Sequence, residues 1–226
     1  GFKQFEKKWY NSRALAESIK TLAWKYAVGG HPFDISLNDE DVRLTFLQNI
    51  RDLTIDNKDF RELVNPSSVE NHELTIDAEE CRKLNLSERK TIYLEQRIKE
   101  QKTWYISKSN KYKNITSWYI GLIIFSETLS AFFSFLMHIN FPVSVLLANF
   151  TFILFSLLQA KQFRELSQAY FVTALDIQLI EEKYARISSE NEFTQFVDEA
   201  ELAFSREHIL WLARRDAELI HTKIKD

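Results

Sequence analysis

Residues 117–158 read SWYIGLIIFSETLSAFFSFLMHINFPVSVLLANFTFILFSLL, and one formal charge, Glu127, interrupts them. The first half, Ser117 to Met137, would be about 31 Å long as a helix at about 1.5 Å per residue. That matches a hydrocarbon core of about 30 Å. The second half, Phe141 to Leu158, carries no charge and is close to the shortest length that spans. Between them, His138, Ile139 and Asn140 leave room only for a tight turn, and Pro142 suits the first turn of a new helix. The stretch predicts a transmembrane helical hairpin with spans at about 117–137 and 141–160. The other reading, a hairpin buried in a soluble core, fits less well, since such helices are usually shorter and keep a polar face.

Residues flanking the stretch predict its orientation. Lys99, Lys102, Lys108, Lys111 and Lys113 precede the first span, Lys161 and Arg164 follow the second, and the turn has neither Lys nor Arg. By the positive-inside rule both termini are expected on the cytoplasmic side. Lys111, Lys113, Trp118, Tyr119, Lys161 and Arg164 are the expected interface anchors, with Trp118 and Tyr119 in the aromatic belt. Trp104, Tyr105 and Tyr112 lie further back and are expected to pack between helices.

Composition narrows the class. The 226 residues allow one or two domains, and the net charge of −3 hides basic residues crowded at the membrane edge. A basic edge attracts anionic lipid, and nothing resembles a basic nucleic-acid face. Four Gly and three Pro are too few for the turns of an all-β fold. The lone Cys81 excludes an internal disulfide, fits a reducing compartment, and reads as a small packed residue on a short helix. Sequons at Asn85, Asn114 and Asn149 fall on the expected cytoplasmic side or inside the bilayer, so none is expected to be glycosylated.

Along the chain, Phe2 to Val28 reads as one helix stopped by Gly29-Gly30. His31 follows with no second ligand at metal-binding spacing and reads as a loop histidine. Ser36 or Asn38 is expected to cap the next helix, which fades around Asp56. Lys58 to Val64 allows one or two more turns, Asn65-Pro66-Ser67-Ser68 is a break, and Asp77 to Leu84 reads as a short helix. Ser87 is expected to cap a long helix running unbroken into the first span. The second span, lacking any later Gly or Pro up to Ile187, is expected to continue as one helix from Pro142 to about there. A last helix is expected over about Thr194 to Ile220. The predicted organisation is an N-terminal helical segment (1–64), a linker with a short helix (65–86), and a hairpin-bearing unit (87–226). The fold class is an all-α membrane protein whose hairpin helices extend into a cytoplasmic helical bundle.

Ala16, Ile19, Leu22, Lys25 and Tyr26 recur in type and spacing as Ala174, Ile177, Ile180, Lys183 and Tyr184. If they mark two copies of one unit, the first copy's hairpin would precede Gly1. The stretch Trp9-Tyr10-Asn11-Ser12-Arg13-Ala14-Leu15-Ala16-Glu17-Ser18-Ile19-Lys20-Thr21-Leu22-Ala23-Trp24-Lys25-Tyr26 resembles the helix after the membrane hairpin in one subfamily of SLATT, the SMODS and SLOG-associating two-transmembrane effector domain. Tyr93-Leu94-Glu95-Gln96-Arg97, with Gln101, Trp104 and Tyr105, resembles the stem entering the hairpin in a second subfamily. Together they are similar to a tandem protein of that family lacking its N-terminal part. Phe171 and Leu175 stand where the family commonly has an Arg and a Glu. The resemblance implies an effector of a prokaryotic conflict or anti-phage system that oligomerises and forms a pore in, or disrupts, the bacterial inner membrane when a nucleotide second-messenger synthase or sensor triggers it.

No catalytic motif stands out: there is no phosphate loop, Cys-x-x-Cys or His-Glu-x-x-His. The chain reads as a non-enzyme with no cofactor. Glu127 carries the functional question, because an ionised acid at mid-span costs about 2.5–3.5 kcal/mol on insertion scales. Glu127, Ser130, Ser134 and His138 fall within about 80° of one another on a helix. Such a stripe either packs against a neighbouring helix or lines a pore. Ser144, Ala148, Thr151 and Gln159 form a comparable stripe on the second span, expected to serve helix packing. One hairpin cannot enclose a pore, so the pore reading requires a homo-oligomer. The alternative function is a non-conducting membrane scaffold that recruits a cytosolic partner.

Overall fold

The structure is a computed structural model, and it describes residues 2–56, 76–136 and 143–205. Every regular element among these is helical: α1 (Phe2–Val28), α2 (Asp39–Asp56), α3 (Ile76–Arg82), α4 (Leu86–Tyr93), a π-helical turn (Leu94–Ile98), α5 (Lys99–Leu136), α6 (Val143–Lys161), α7 (Phe163–Lys183), a 3-10 turn (Tyr184–Arg186) and α8 over residues 190–205. The turns proposed for Lys58 to Val64 and the break at Asn65 to Ser68 lie outside the described residues. The described residues fall into two compact units, those within 1–102 and 176–226 and those within 103–175.

In the first unit, α1 packs against α2, α3 and α4. Tyr26, Phe33, Val42 and Phe46 form a buried cluster backed by Leu22, Ala23, Ile50 and Ala78. The expected end of α1 holds. Gly29 takes φ +81, and its N–H and that of Gly30 both bond to Lys25 O, closing the helix with a left-handed residue. A Cβ at Gly29 would also lie 2.5 Å from Ile35 Cγ1. Two buried arginines finish the same helix end. Arg82 donates to Phe33 O (2.6 Å), Asp34 O (2.9 Å) and Tyr26 O (3.3 Å), and Arg89 donates to Val28 O (2.6 Å). Carbonyls left open at a helix C-terminus attract such cations.

Two helix boundaries differ from expectation, and a third is decided between two expected caps. Asn85, not Ser87, caps α4: its side chain accepts from Glu88 N while the Glu88 carboxylate accepts from Asn85 N, a reciprocal capping box. Residue 190, not Thr194, opens α8, because Ser189 and Glu192 make a second such box. Asn38 is the residue that caps α2, through Glu40 N at 2.9 Å.

The expected single helix from Pro142 to Ile187 is interrupted. Gln162 lies between α6 and α7 with φ 47, a left-handed conformation that a residue with a Cβ rarely takes. Backbone bonds persist on both sides, from Gln162 N to Leu158 O and from Leu166 N to Gln162 O. The next residue explains the turn: the Phe163 ring stacks on Tyr112 (5.9 Å, 21°) and lies 5.8 Å from Tyr119. On the first arm the path from Leu86 to Phe135 is helical throughout, but Leu94–Ile98 is wound as a π-turn.

Candidate functional site: the exposed hairpin and a buried polar cluster

The second unit contains the hairpin. α5 and α6 run antiparallel, held by Ser126 Oγ to Leu147 O and Ser130 Oγ to Ser144 O, both 3.3 Å. Two helices among the described residues are long and apolar enough to cross a membrane, and only 6 % of each apolar window is buried. A soluble core hairpin would show the opposite. Phe125, Phe135, Leu146 and Phe152 are each more than 60 % exposed, an apolar surface far beyond what a water-facing helix pair carries. Further along α5, Tyr112 is stacked between Phe163 and Tyr170, while Trp104 and Tyr105 both meet Tyr170, so these three aromatics do pack between helices. Ser109 and Ser167 clasp the same two helices, each hydroxyl donating to the other's carbonyl at 2.9 Å.

Of the proposed polar stripe, Ser130 faces α6, whereas Ser134 turns to its own helix at Ser130 O (2.9 Å) and Glu127 is exposed. His138 lies outside the described residues. Ser126, which the sequence reading did not single out, is the deeply buried serine of the span at 3 % exposure. In the second span Ser144 and Thr151 are half-buried, and Ala148 and Gln159 are exposed. The Thr151 hydroxyl is enclosed with no partner among the described residues. Of the proposed anchors, Trp118 is 73 % exposed, Lys111, Lys113, Lys161 and Arg164 are exposed, and Tyr119 is half-buried against Phe163. Phe171 and Leu175 are both exposed on α7.

The first unit holds a buried polar cluster. Glu201 on α8 accepts from Arg97 Nε (2.9 Å) and Nη2 (2.6 Å), from the Tyr93 hydroxyl (2.9 Å) and from Thr21 Oγ1 (2.7 Å). Arg97 is 0 % and Glu201 2 % exposed. Arg97 and its neighbour Ile98, both in the π-turn, are both buried. The Gln101 amide, with its oxygen toward the cations, accepts from Arg97 Nη1 (2.9 Å) and Lys20 Nζ (3.3 Å). Burial pushes the Tyr93 phenol well above its ordinary value, and the adjacent Glu201 charge adds to this. For Arg97, burial alone would lower the pKa, but the hydrogen bonds and charge of Glu201 outweigh it and hold it above the ordinary value. Burial likewise raises the Cys81 thiol, partly offset by Arg89, which leaves it a poor nucleophile. The cluster joins α1, the α4–α5 path and α8.

The recurring pattern of α1 and α7 has a counterpart here. Lys25 pairs with Asp198 (2.8 Å) and Lys183 with Glu199 (2.5 Å), so the two equivalent lysines meet adjacent acids of α8. The family model for SMODS and SLOG-associating 2TM effector domain 1 (SLATT_1) matches residues 93–211, and that for domain 3 (SLATT_3) matches residues 2–90. No curated protein and no solved structure matches the chain. With one model covering more than half of its length and the other most of the rest, the chain belongs to the SLATT family of SMODS and SLOG-associating 2TM effector domains, two of which it carries in tandem.

Proposed function

We propose that the chain is a membrane effector that homo-oligomerises through its hairpin and opens a pore when a nucleotide-signalling partner triggers it. The single observation that carries this reading is the hairpin's exposed apolar surface on a chain of an effector family. A monomer with two spans has no interior to conduct through, so several hairpins must assemble. In this reading the basic residues flanking both spans keep both termini in the cytoplasm, on the inner face of a bacterial membrane. The buried Arg97–Glu201 cluster braces the helical body that would receive the signal. Reconstitution of the purified chain in planar lipid bilayers tests the proposal. Discrete currents, absent from protein-free bilayers, are expected. Stable insertion with no current under any voltage, with or without the nucleotide-signalling partner, would favour the scaffold reading instead.

A further inference from the structure

Glu127 on α5 and Asn149 on α6 are polar side chains exposed at the level of the hydrocarbon core. Among the described residues neither has a hydrogen-bond partner, in contrast to Ser126, Ser130, Ser134 and Thr128. Lipid offers no partner to either group, so polar residues at this depth pair with one another or line water.

Their placement says where a partner can stand. The contacts Ser126–Leu147 and Ser130–Ser144 set the register of the antiparallel pair and put position 127 level with about position 146. Asn149 therefore lies about 5 Å from Glu127 in depth, at about 1.5 Å per residue. Side chains on a helix lean toward its N-terminus. On α5 that carries Glu127 toward the open end of the hairpin, and on the antiparallel α6 it carries Asn149 toward the turn. Each leans to the other's level. Within one hairpin they cannot meet. Asn149 is about 200° around α6 from Leu147, which faces α5, and Glu127 is about 100° around α5 from Ser126, which faces α6. The two groups sit on different outer faces.

Rotation about an axis along the membrane normal preserves depth. A neighbouring copy so related presents its Asn149 at the level of this copy's Glu127. We propose that the Glu127 carboxyl of one protomer accepts a hydrogen bond from the Asn149 amide of the next, in a head-to-tail contact between hairpins. Two different faces make the contact heterologous, which closes into a ring rather than a two-fold dimer. Ala131, exposed one turn from Glu127, leaves room for the helices to approach. The inference rests on the homo-oligomer reading above and gives Glu127 to the interface between protomers, not to the lumen.

Disulfide trapping in the membranes of expressing cells tests it. The whole chain is used in a Cys81→Ser background, with Glu127→Cys and Asn149→Cys carried on copies of different tag length. Co-expression and a lipid-permeable oxidant are expected to give the mixed 127–149 dimer, and one chain bearing both substitutions a ladder of multimers. A 127–127 disulfide without the mixed species would overturn the contact and place Glu127 at a shared axis. No disulfide in any combination, while lysine cross-linking of the unsubstituted chain still yields oligomers, would overturn the contact and leave the oligomer standing. Monomers alone by lysine cross-linking would remove both. Should the cysteine variants fail to insert, Asn149→Leu is expected to lower the cross-linked oligomer fraction by about threefold, the loss of an average interhelical hydrogen bond, and Asn149→Gln to lower it less. Equal yields for all three chains would overturn the contact.

Discussion

Arg97 and Glu201 meet in a bidentate pair, Nε to Oε1 at 2.9 Å and Nη2 to Oε2 at 2.6 Å, with both side chains sealed from solvent. Both carboxylate oxygens are filled further by Tyr93 and Thr21, so the acid has no unmet acceptor demand. Removing one partner strands a buried charge. Arg97→Met is therefore expected to destabilise the first unit by about 3–5 kcal/mol, and Arg97→Met with Glu201→Leu by much less. Thermal unfolding in detergent measures both. A double variant no better than the single one would show that packing, not charge, sets the cost.

Tyr93 predicts an alkaline limit. Burial first, then Glu201, raises its folded pKa above the free phenol value of about 10. The folded state then keeps a proton that the unfolded chain loses. As pH rises above about 10 the unfolded chain binds fewer protons, and stability falls with pH. Tyr93→Phe is expected to cost about 2 kcal/mol at neutral pH through the lost bond to a charged acceptor, and to flatten that alkaline slope. Chemical denaturation between pH 8 and pH 11 gives both quantities.

What could be read from the sequence follows from how local each determinant is. The hairpin was legible because the bilayer imposes a length and a composition on one continuous stretch. The end of α1 was legible because Gly29-Gly30 carries its signal in two adjacent residues. The burial of the arginines was not: no local signal around Arg82, Arg89 or Arg97 marks them for the interior, and the acid that pairs with Arg97 lies 104 residues away. Ser126 was passed over because its neighbour Glu127 drew the polar stripe, and hydropathy alone does not say which face meets the other span. Gln162 gave no warning either, since its left-handed turn is held by the stacking of the next residue on α5.

That turn makes a prediction of its own. A residue with a Cβ at φ 47 stores strain of about 1 kcal/mol. Glycine adopts the conformation without it, at some cost in unfolded-chain entropy. Gln162→Gly is expected to raise stability by about 0.5–1 kcal/mol, and Gln162→Val to lower it by at least as much. Equal melting temperatures for the three proteins in detergent would mean that the helix joint does not rest on this residue.

Topology is tested by labelling. The uncharged turn and the basic flanks predict that a cysteine replacing Asn140 reacts with a membrane-impermeant maleimide added to intact cells, while one replacing Lys108 does not. After permeabilisation both should react. Labelling of position 108 in intact cells would invert the hairpin.

Glu127 can be located by conductance as well as by trapping. A ring of carboxylates in a lumen concentrates cations and repels anions, so removing the charge there shifts reversal potentials. A carboxyl hydrogen-bonded to a neighbour's Asn149 has no such influence on permeating ions. Glu127→Gln keeps the side-chain shape and an oxygen that accepts from the Asn149 amide. It is expected to preserve both assembly and ion selectivity in reconstituted bilayers. Glu127→Leu removes the acceptor and is expected to reduce the number of channels at a given protein density, with the selectivity of the remaining ones unchanged. A loss of cation preference in Glu127→Gln, measured as a shift of reversal potential in a salt gradient, would move Glu127 from the protomer interface to the conduction path.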